Sequence, residues 1–208
     1  LLPRWRGAAP INWAIINGEH RTGATTFLIG ADIDTGDILL REEIDIPADE
    51  DAGTLHDRLK LVGADLLTRT VKDIFDGTVS SIAQTDFVGD AAHDAPKLTR
   101  ENCRIDWTKP ARQVHDLVRG LAPEPGAWTM WAEPGKPEMP FEILRSRPMA
   151  SGRKNSKVGA VSVPDGKLIV HCGTGTLEAT LVQAQGKRPM EGEAFVRGLR
   201  NRDGIHFL

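Results

Sequence analysis

Past residue 121 the chain changes from helical periodicity to short apolar runs, and that change limits the folds open to it. Over residues 54–76, Leu55, Leu59, Val62, Leu66, Ile74 and Phe75 recur at helical spacing, with Asp51 placed to cap the start and Gly77 to end it. A helix over 110–121, with Val114, Leu117, Val118 and Leu121 facing inward, is the last long one. Beyond it, short apolar runs at 127–131, 141–144, 158–163, 167–172 and 176–182 are separated by turns such as Glu133-Pro134-Gly135 and Pro164-Asp165-Gly166. Five short strands so punctuated predict a small β-barrel of the OB type, closed off by a terminal helix near 193–200.

The first half reads as α/β. Pro10 suits the first position of a short helix over 10–17, where Ile11, Ile15 and Ile16 form an apolar stripe and Gly18 supplies the stop. Residues 25–29 are apolar and β-branched enough for a buried strand, 30–36 form a turn-rich loop, and 38–46 alternate as a second strand. Residues 77–98 lose periodicity and gather Ser80, Ser81, Gly89, Asp90, Ala91, Ala92 and Pro96. The expected organisation is one domain over 1–78, a linker over 79–98 and a second domain over 99–208.

Charge divides at the same place. Residues 1–96 hold 8 Lys or Arg against 17 Asp or Glu, while 97–208 hold 18 against 12, so a net charge of −3 hides an acidic half and a basic half. A basic domain tethered to an acidic one fits polyanion binding, since Lys and Arg contacts to phosphates supply most non-specific affinity; an unevenly charged solvated surface fits the same count. Cys103 and Cys172 are too few and too far apart for a disulfide framework or a zinc site. They read as buried thiols in a reducing, cytoplasmic setting. No apolar run approaches the ~20 residues that cross a bilayer, so no membrane partner is expected, and no metal either.

Asp34 lies between Gly30 and Gly36, in a loop joining the two expected strands, where a carboxylate can meet a ligand. Taken alone it reads as an ordinary turn aspartate. His20, His56, His93, His115, His171 and His206 read as surface or capping residues, and the five tryptophans as core. Gly173 and Gly175 read as a hairpin turn. Lys187 and Arg188, in the loop Gly186-Lys187-Arg188-Pro189-Met190, put two cations beside a barrel strand, within reach of a phosphate backbone or of solvent.

Three segments in fixed order reverse the balance for Asp34: Leu1-Leu2-Pro3-Arg4-Trp5-Arg6-Gly7-Ala8-Ala9-Pro10, then Thr22-Gly23-Ala24-Thr25-Thr26, then Asp34-Thr35-Gly36. Together with Lys97-Leu98, Ile105-Asp106-Trp107, the stretch 123–128 and Gly186-Lys187-Arg188, they resemble the folate-dependent formyltransferases, and the Arg-Gly-Ala-Ala-Pro form resembles the branch acting on methionyl-tRNA. The resemblance implies the C-terminal part of a Rossmann-like formyltransferase domain followed by the OB-like barrel. It implies that Asp34 is the catalytic aspartate, and that Leu1, Leu2 and Pro3, with Gly30, Ala31 and Asp32, contact 10-formyltetrahydrofolate. Arg4, Arg6, Lys187 and Arg188 would hold the anionic substrate, initiator methionyl-tRNA. The family's Asn-x-His motif and the serine of its Ser-Leu-Leu-Pro loop lie just upstream of Leu1, so the chain reads as a fragment. Upstream there would be roughly a hundred residues, the size of a βαβαβ half, and the fragment would be an inactive monomer. Two other readings share these motifs or this charge: a formyltransferase acting on an amino-sugar nucleotide, and a non-catalytic tRNA-binding module.

Overall fold

The computed structural model describes residues 1–87, 93–149, 157–199 and 204–208; Gly89, Asp90, Ala91 and Ala92 of the expected linker, and Arg200 of the expected last helix, lie outside them. The chain divides into two compact units, Leu1–Leu98 and Thr99–Leu208.

In the first unit α1, Pro10–Ile16, starts on its proline as the fixed φ of that residue favours, and the turn after it passes through Gly18 at φ 71°. Strands β2, Arg21–Phe27, and β3, Ile38–Asp45, pair as an antiparallel hairpin whose loop holds Asp34. The first of these starts earlier than the apolar run predicts and is half-buried, with Leu28 and Ile29 exposed beyond its end. The partner decides this: Thr22 and Gly23 pair with Ile44 and Glu43, so the strand is as long as the ladder.

Helix α2, Ala52–Phe75, follows, and the Asp51 carboxylate caps it by accepting from the Thr54 N–H at 2.8 Å. Leu55 and Leu66 are fully buried, each worth about 1.5–3 kcal/mol of transfer free energy. Ile74 and Phe75, expected on the same inner face, are exposed. Periodicity says which residues share a face, not how far along the helix a partner extends. Burial ends at Thr70, whose hydroxyl donates to the Leu66 carbonyl and lies 2.8 Å from the Thr26 hydroxyl of β2. A second small sheet pairs β1, Arg6–Gly7, in parallel with β4, Asp94–Ala95. Trp5, Ala14, Ile15, Ile46, Ala52, Leu55 and Ala95 form the core of this unit. The stretch expected as a linker thus contributes β4 and Ala95 to that core, and Ile82 bridges to Ile38.

The second unit carries α3, Ala111–Leu121, on a seven-stranded sheet. Its strands are β5, Ala127–Ala132; β6, Met139–Met149; β7, Val161–Ser162; β8, Ile169–His171; β9, Thr176–Ala184; β10, Met190–Glu191; and β11, His206–Phe207. The order is β11-β5-β6-β9-β8-β7, with β10 on β9. The two ends meet where Phe207 N–H donates to the Gly159 carbonyl at 2.8 Å and Val161 N–H to that of Ile205 at 3.1 Å, so the sheet nearly closes into a barrel. In this unit Trp131, Phe141, Phe195 and Phe207 pack ring against ring at centroid distances of 5.0–5.5 Å. The last helix, α4, Gly192–Arg197, packs on β9 and β10.

Two expectations in this unit are corrected. Strand β6, Met139–Met149, extends well beyond 144 because its C-terminal part pairs with β9, with Pro148 opposite Leu177, while near its start the Pro140 carbonyl accepts from Gln185. His115 and His171 are buried instead of surface residues. The His115 Nδ1 lies 3.0 Å from the Ser146 hydroxyl, and beside it on α3 the buried Asp116 accepts from the buried Arg119 Nε at 2.7 Å. A helix read by apolar spacing alone hides such a polar pair on its inner face, and Leu117, assigned inward, is half-buried.

Candidate functional site

The turn from Leu1 to Gly7 is held from three sides. The Leu1 side chain rests against Gly23 of β2, where a Cβ would lie 2.0 Å from the Glu42 carbonyl oxygen, so glycine is required for the hairpin and for this contact. Leu2 N–H donates to the Thr25 hydroxyl at 3.3 Å, and Pro3 is buried. Trp5 stacks on His93 at 5.0 Å. Gly7, at φ 128°, brings its backbone so close to Ala95 that a Cβ would stand 2.6 Å from that carbonyl oxygen.

The two arginines of this turn have partners. Arg4 is ion-paired with Glu19. Arg6 donates from Nη2 to the Gln84 side-chain oxygen at 2.6 Å, while its buried Nε has no hydrogen-bond partner among the described residues. Beside the turn opens a cavity of about 390 Å³ lined by Leu1, Arg4, Trp5, Glu19, His20, Arg21, Thr22, Arg41 and Glu43. Of the expected site residues, Leu1 and Arg4 reach it, and Asp34 is not among its walls.

Asp34 sits at the turn of the hairpin loop in the left-handed region, φ 55°, a conformation aspartate tolerates better than most residues, and it is half-buried. The loop is closed at its neck by Leu28 N–H donating to the Asp37 carbonyl at 2.9 Å. Gly36 is indispensable there, since a Cβ would fall 1.6 Å from the Leu28 carbonyl oxygen. Thr35 Oγ1 donates to the Asp32 carbonyl at 3.1 Å and gives the loop tip an internal tie. Gly30, Ala31 and Asp32 are exposed, beside the equally exposed Ile29 and Ile33.

Gln84 joins these two parts. It is 6% exposed, donates from Nε2 to the carbonyls of Asp34 and Gly36 at 2.8 Å each, and accepts from Arg6. Nothing local in the sequence singles it out, because its partners lie 48 to 78 residues away.

In the second unit Lys187 and Arg188 are exposed in the turn from β9 to β10, and Gln183 Nε2 donates to the Lys187 carbonyl at 3.0 Å. Trp128, read as core from sequence, is instead half-buried, with the Arg100 and Arg104 guanidinium groups 4.3 and 5.4 Å from its ring centre. Trp107 is buried as expected and donates to the Thr129 hydroxyl. Burial raises the Cys172 thiol to a pKa of about 12 and also raises that of Cys103. Among the described residues no helix is long and apolar enough to cross a membrane, and no three His, Cys, Asp or Glu side chains gather as a metal site.

The model of the formyl transferase domain matches residues 1–71, and that of the formyl transferase C-terminal domain matches 97–200. The chain belongs to the formyl transferase family. It is 42% identical to a methionyl-tRNA formyltransferase of Azobacteroides pseudotrichonymphae over all of this chain and 65% of that protein. The chain thus spans less than two thirds of the length of that relative. Among solved structures it is similar in fold to HypX from Aquifex aeolicus in complex with tetrahydrofolic acid, with a TM-score of 0.65 at 19% identity over 94% of this chain and 33% of HypX. It is similar also to an N-formyltransferase from Helicobacter canadensis, solved with folinic acid and dTDP-3-aminofucose, with a TM-score of 0.64 at 18% identity over 88% of this chain and 63% of that one. The Leu1-to-Gly7 turn and the Asp34 loop both lie in the first unit, within the residues matched by the formyl transferase model.

Proposed function

We propose that the protein to which this chain belongs transfers the formyl group of 10-formyltetrahydrofolate to the α-amine of methionine on initiator tRNA, in the cytoplasm and as a monomer. The observation that carries the reading is the 42% identity to a methionyl-tRNA formyltransferase along the entire chain, through both units. HypX with tetrahydrofolic acid supports a folate donor. The basic balance of residues 97–208 and the exposed Lys187 and Arg188 support a polyanionic acceptor. Likeness of fold to these enzymes supports a Rossmann-like first domain over 1–78, a linker over 79–98 and an OB-like barrel over 99–208.

In this reading the amine attacks the formyl carbon, an oxyanion builds on the tetrahedral centre, the bond from that carbon to the folate nitrogen breaks, and that nitrogen takes up a proton. Asp34 assists by receiving the amine proton or orienting the group that does, from a loop held at a fixed φ. Leu1, Leu2 and Pro3, seated on Gly23 and Thr25, offer an apolar wall to the pterin and benzoyl rings, and Gly30, Ala31 and Asp32 offer backbone polar groups. Arg4 and Arg6 steer the anionic substrate at the mouth of this site, Arg4 by exchanging Glu19 for a phosphate. The test is Asp34→Asn in the full-length gene product, with folding checked by thermal unfolding. Loss of most formyl transfer is expected, and an unaffected mutant overturns the role of Asp34.

A further inference from the structure

We infer that Gln84 is a positioning residue for the reaction at Asp34, acting as a side chain that ties the catalytic loop to the Leu1-to-Gly7 turn; this rests on the function proposed above. The carboxamide is fully committed. Its NH2 group has two hydrogens, and the carbonyls of Asp34 and Gly36 take one each at 2.8 Å. Its oxygen takes the Arg6 guanidinium at 2.6 Å. This arrangement fixes which end of the amide is which, since only the nitrogen can face two carbonyls and only the oxygen can face a guanidinium. The backbone around it is pinned as well: Ile82 exchanges both backbone hydrogen bonds with Ile38 at 2.8 and 2.9 Å, and Gln84 opens a single 3-10 turn, Gln84–Asp86.

No other residue type meets these partners. Glutamate has the reach, and it would pair with Arg6 more strongly, but its carboxylate would face two carbonyl oxygens with nothing to donate. Alanine would leave two partly buried carbonyls and a guanidinium without the Gln84 partner. Either change frees Asp34 and Gly36 while the hairpin β2–β3 and the bulk of the core stay as they are. A carboxylate displaced by about 1 Å from its reacting partner loses on the order of 100-fold in rate.

The experiment compares wild type, Asp34→Asn, Gln84→Ala and Gln84→Glu in the full-length gene product, assayed below the measured melting temperature of each. Both Gln84 variants are expected to lose about 10- to 100-fold in kcat, with KM for the folate changed by less than about threefold. Amide hydrogen exchange across residues 28–37 is expected to speed up in both. Gln84→Glu is decisive, because an anchor needed only for Arg6 would survive it. Wild-type kcat in Gln84→Glu, or unchanged exchange in the loop of both variants, overturns the inference while the functional reading stands. Absence of formyl transfer by wild type overturns the functional reading instead, and the exchange measurement still decides whether Gln84 holds the loop.

Discussion

Gly36→Ala perturbs the candidate site through backbone alone. The added Cβ would stand 1.6 Å from the Leu28 carbonyl oxygen, where real Cβ contacts stop at 3.0 Å, so the two sides of the loop neck must part by about 1.4 Å. Leu28 N–H and the Asp37 carbonyl, now 2.9 Å apart, are then too far for a hydrogen bond. A lost bond of this kind costs about 1 kcal/mol, and forcing a group into packed backbone costs about 1–3 kcal/mol. At roughly 4–8 °C per kcal/mol for a unit of this size, the melting temperature of the first unit falls by about 8–32 °C. Asp34 is two residues from the wedge and moves with it, so formyl transfer by the full-length protein drops about 100-fold at temperatures where it remains folded. Thermal unfolding and steady-state kinetics on Gly36→Ala check both numbers. Melting within about 2 °C of wild type together with kcat within about threefold would refute the claim that the neck of this loop is rigid.

Asp116→Asn leaves the buried Arg119 guanidinium without its carboxylate and should cost about 3–5 kcal/mol in denaturant unfolding of the second unit, whereas Asp116→Leu with Arg119→Met should cost less. Cys172, whose burial raises its pKa to about 12, stays a neutral thiol at pH 8, so its reaction with iodoacetamide should be much slower in the folded chain than in denaturant. Because that pKa is raised on folding, the matching contribution to stability is present below pH 9 and is lost as the pH climbs toward 12, which alkaline unfolding of Cys172→Ala against wild type should show. Lys187→Ala with Arg188→Ala should weaken tRNA binding and lower the slope of log K against log salt by about 2. Asp51→Ala should destabilise α2 by about 1 kcal/mol in denaturant unfolding of the first unit.

What could be read from the chain alone was what local sequence encodes. Asp51 and Gly77 bound α2 because a cap acts on residues three or four away, and Asp34 stood out because its motif is contiguous. Gln84 was invisible, since its meaning lies in carbonyls of a loop far back in the chain. The barrel was legible as a run of short strands, but β10 and β11 are two residues each and exist only through pairing with β9 and β5. The apolar run at 141–144 marks only part of β6, whose remaining length follows from pairing with β9. Trp128 was assigned to the core on its side-chain type, and the arginines that cover it come from a preceding segment that carries no pattern of its own.

The most direct test of the central claim supplies the full-length gene product with 10-formyltetrahydrofolate and, in parallel, with methionyl initiator tRNA and an amino-sugar nucleotide, and follows formyl incorporation into each. The account predicts transfer to the methionyl-tRNA, inhibited by uncharged initiator tRNA and by rising salt, and none to the sugar. Transfer to the sugar alone, or salt-dependent tRNA binding with no transfer to either, would contradict it.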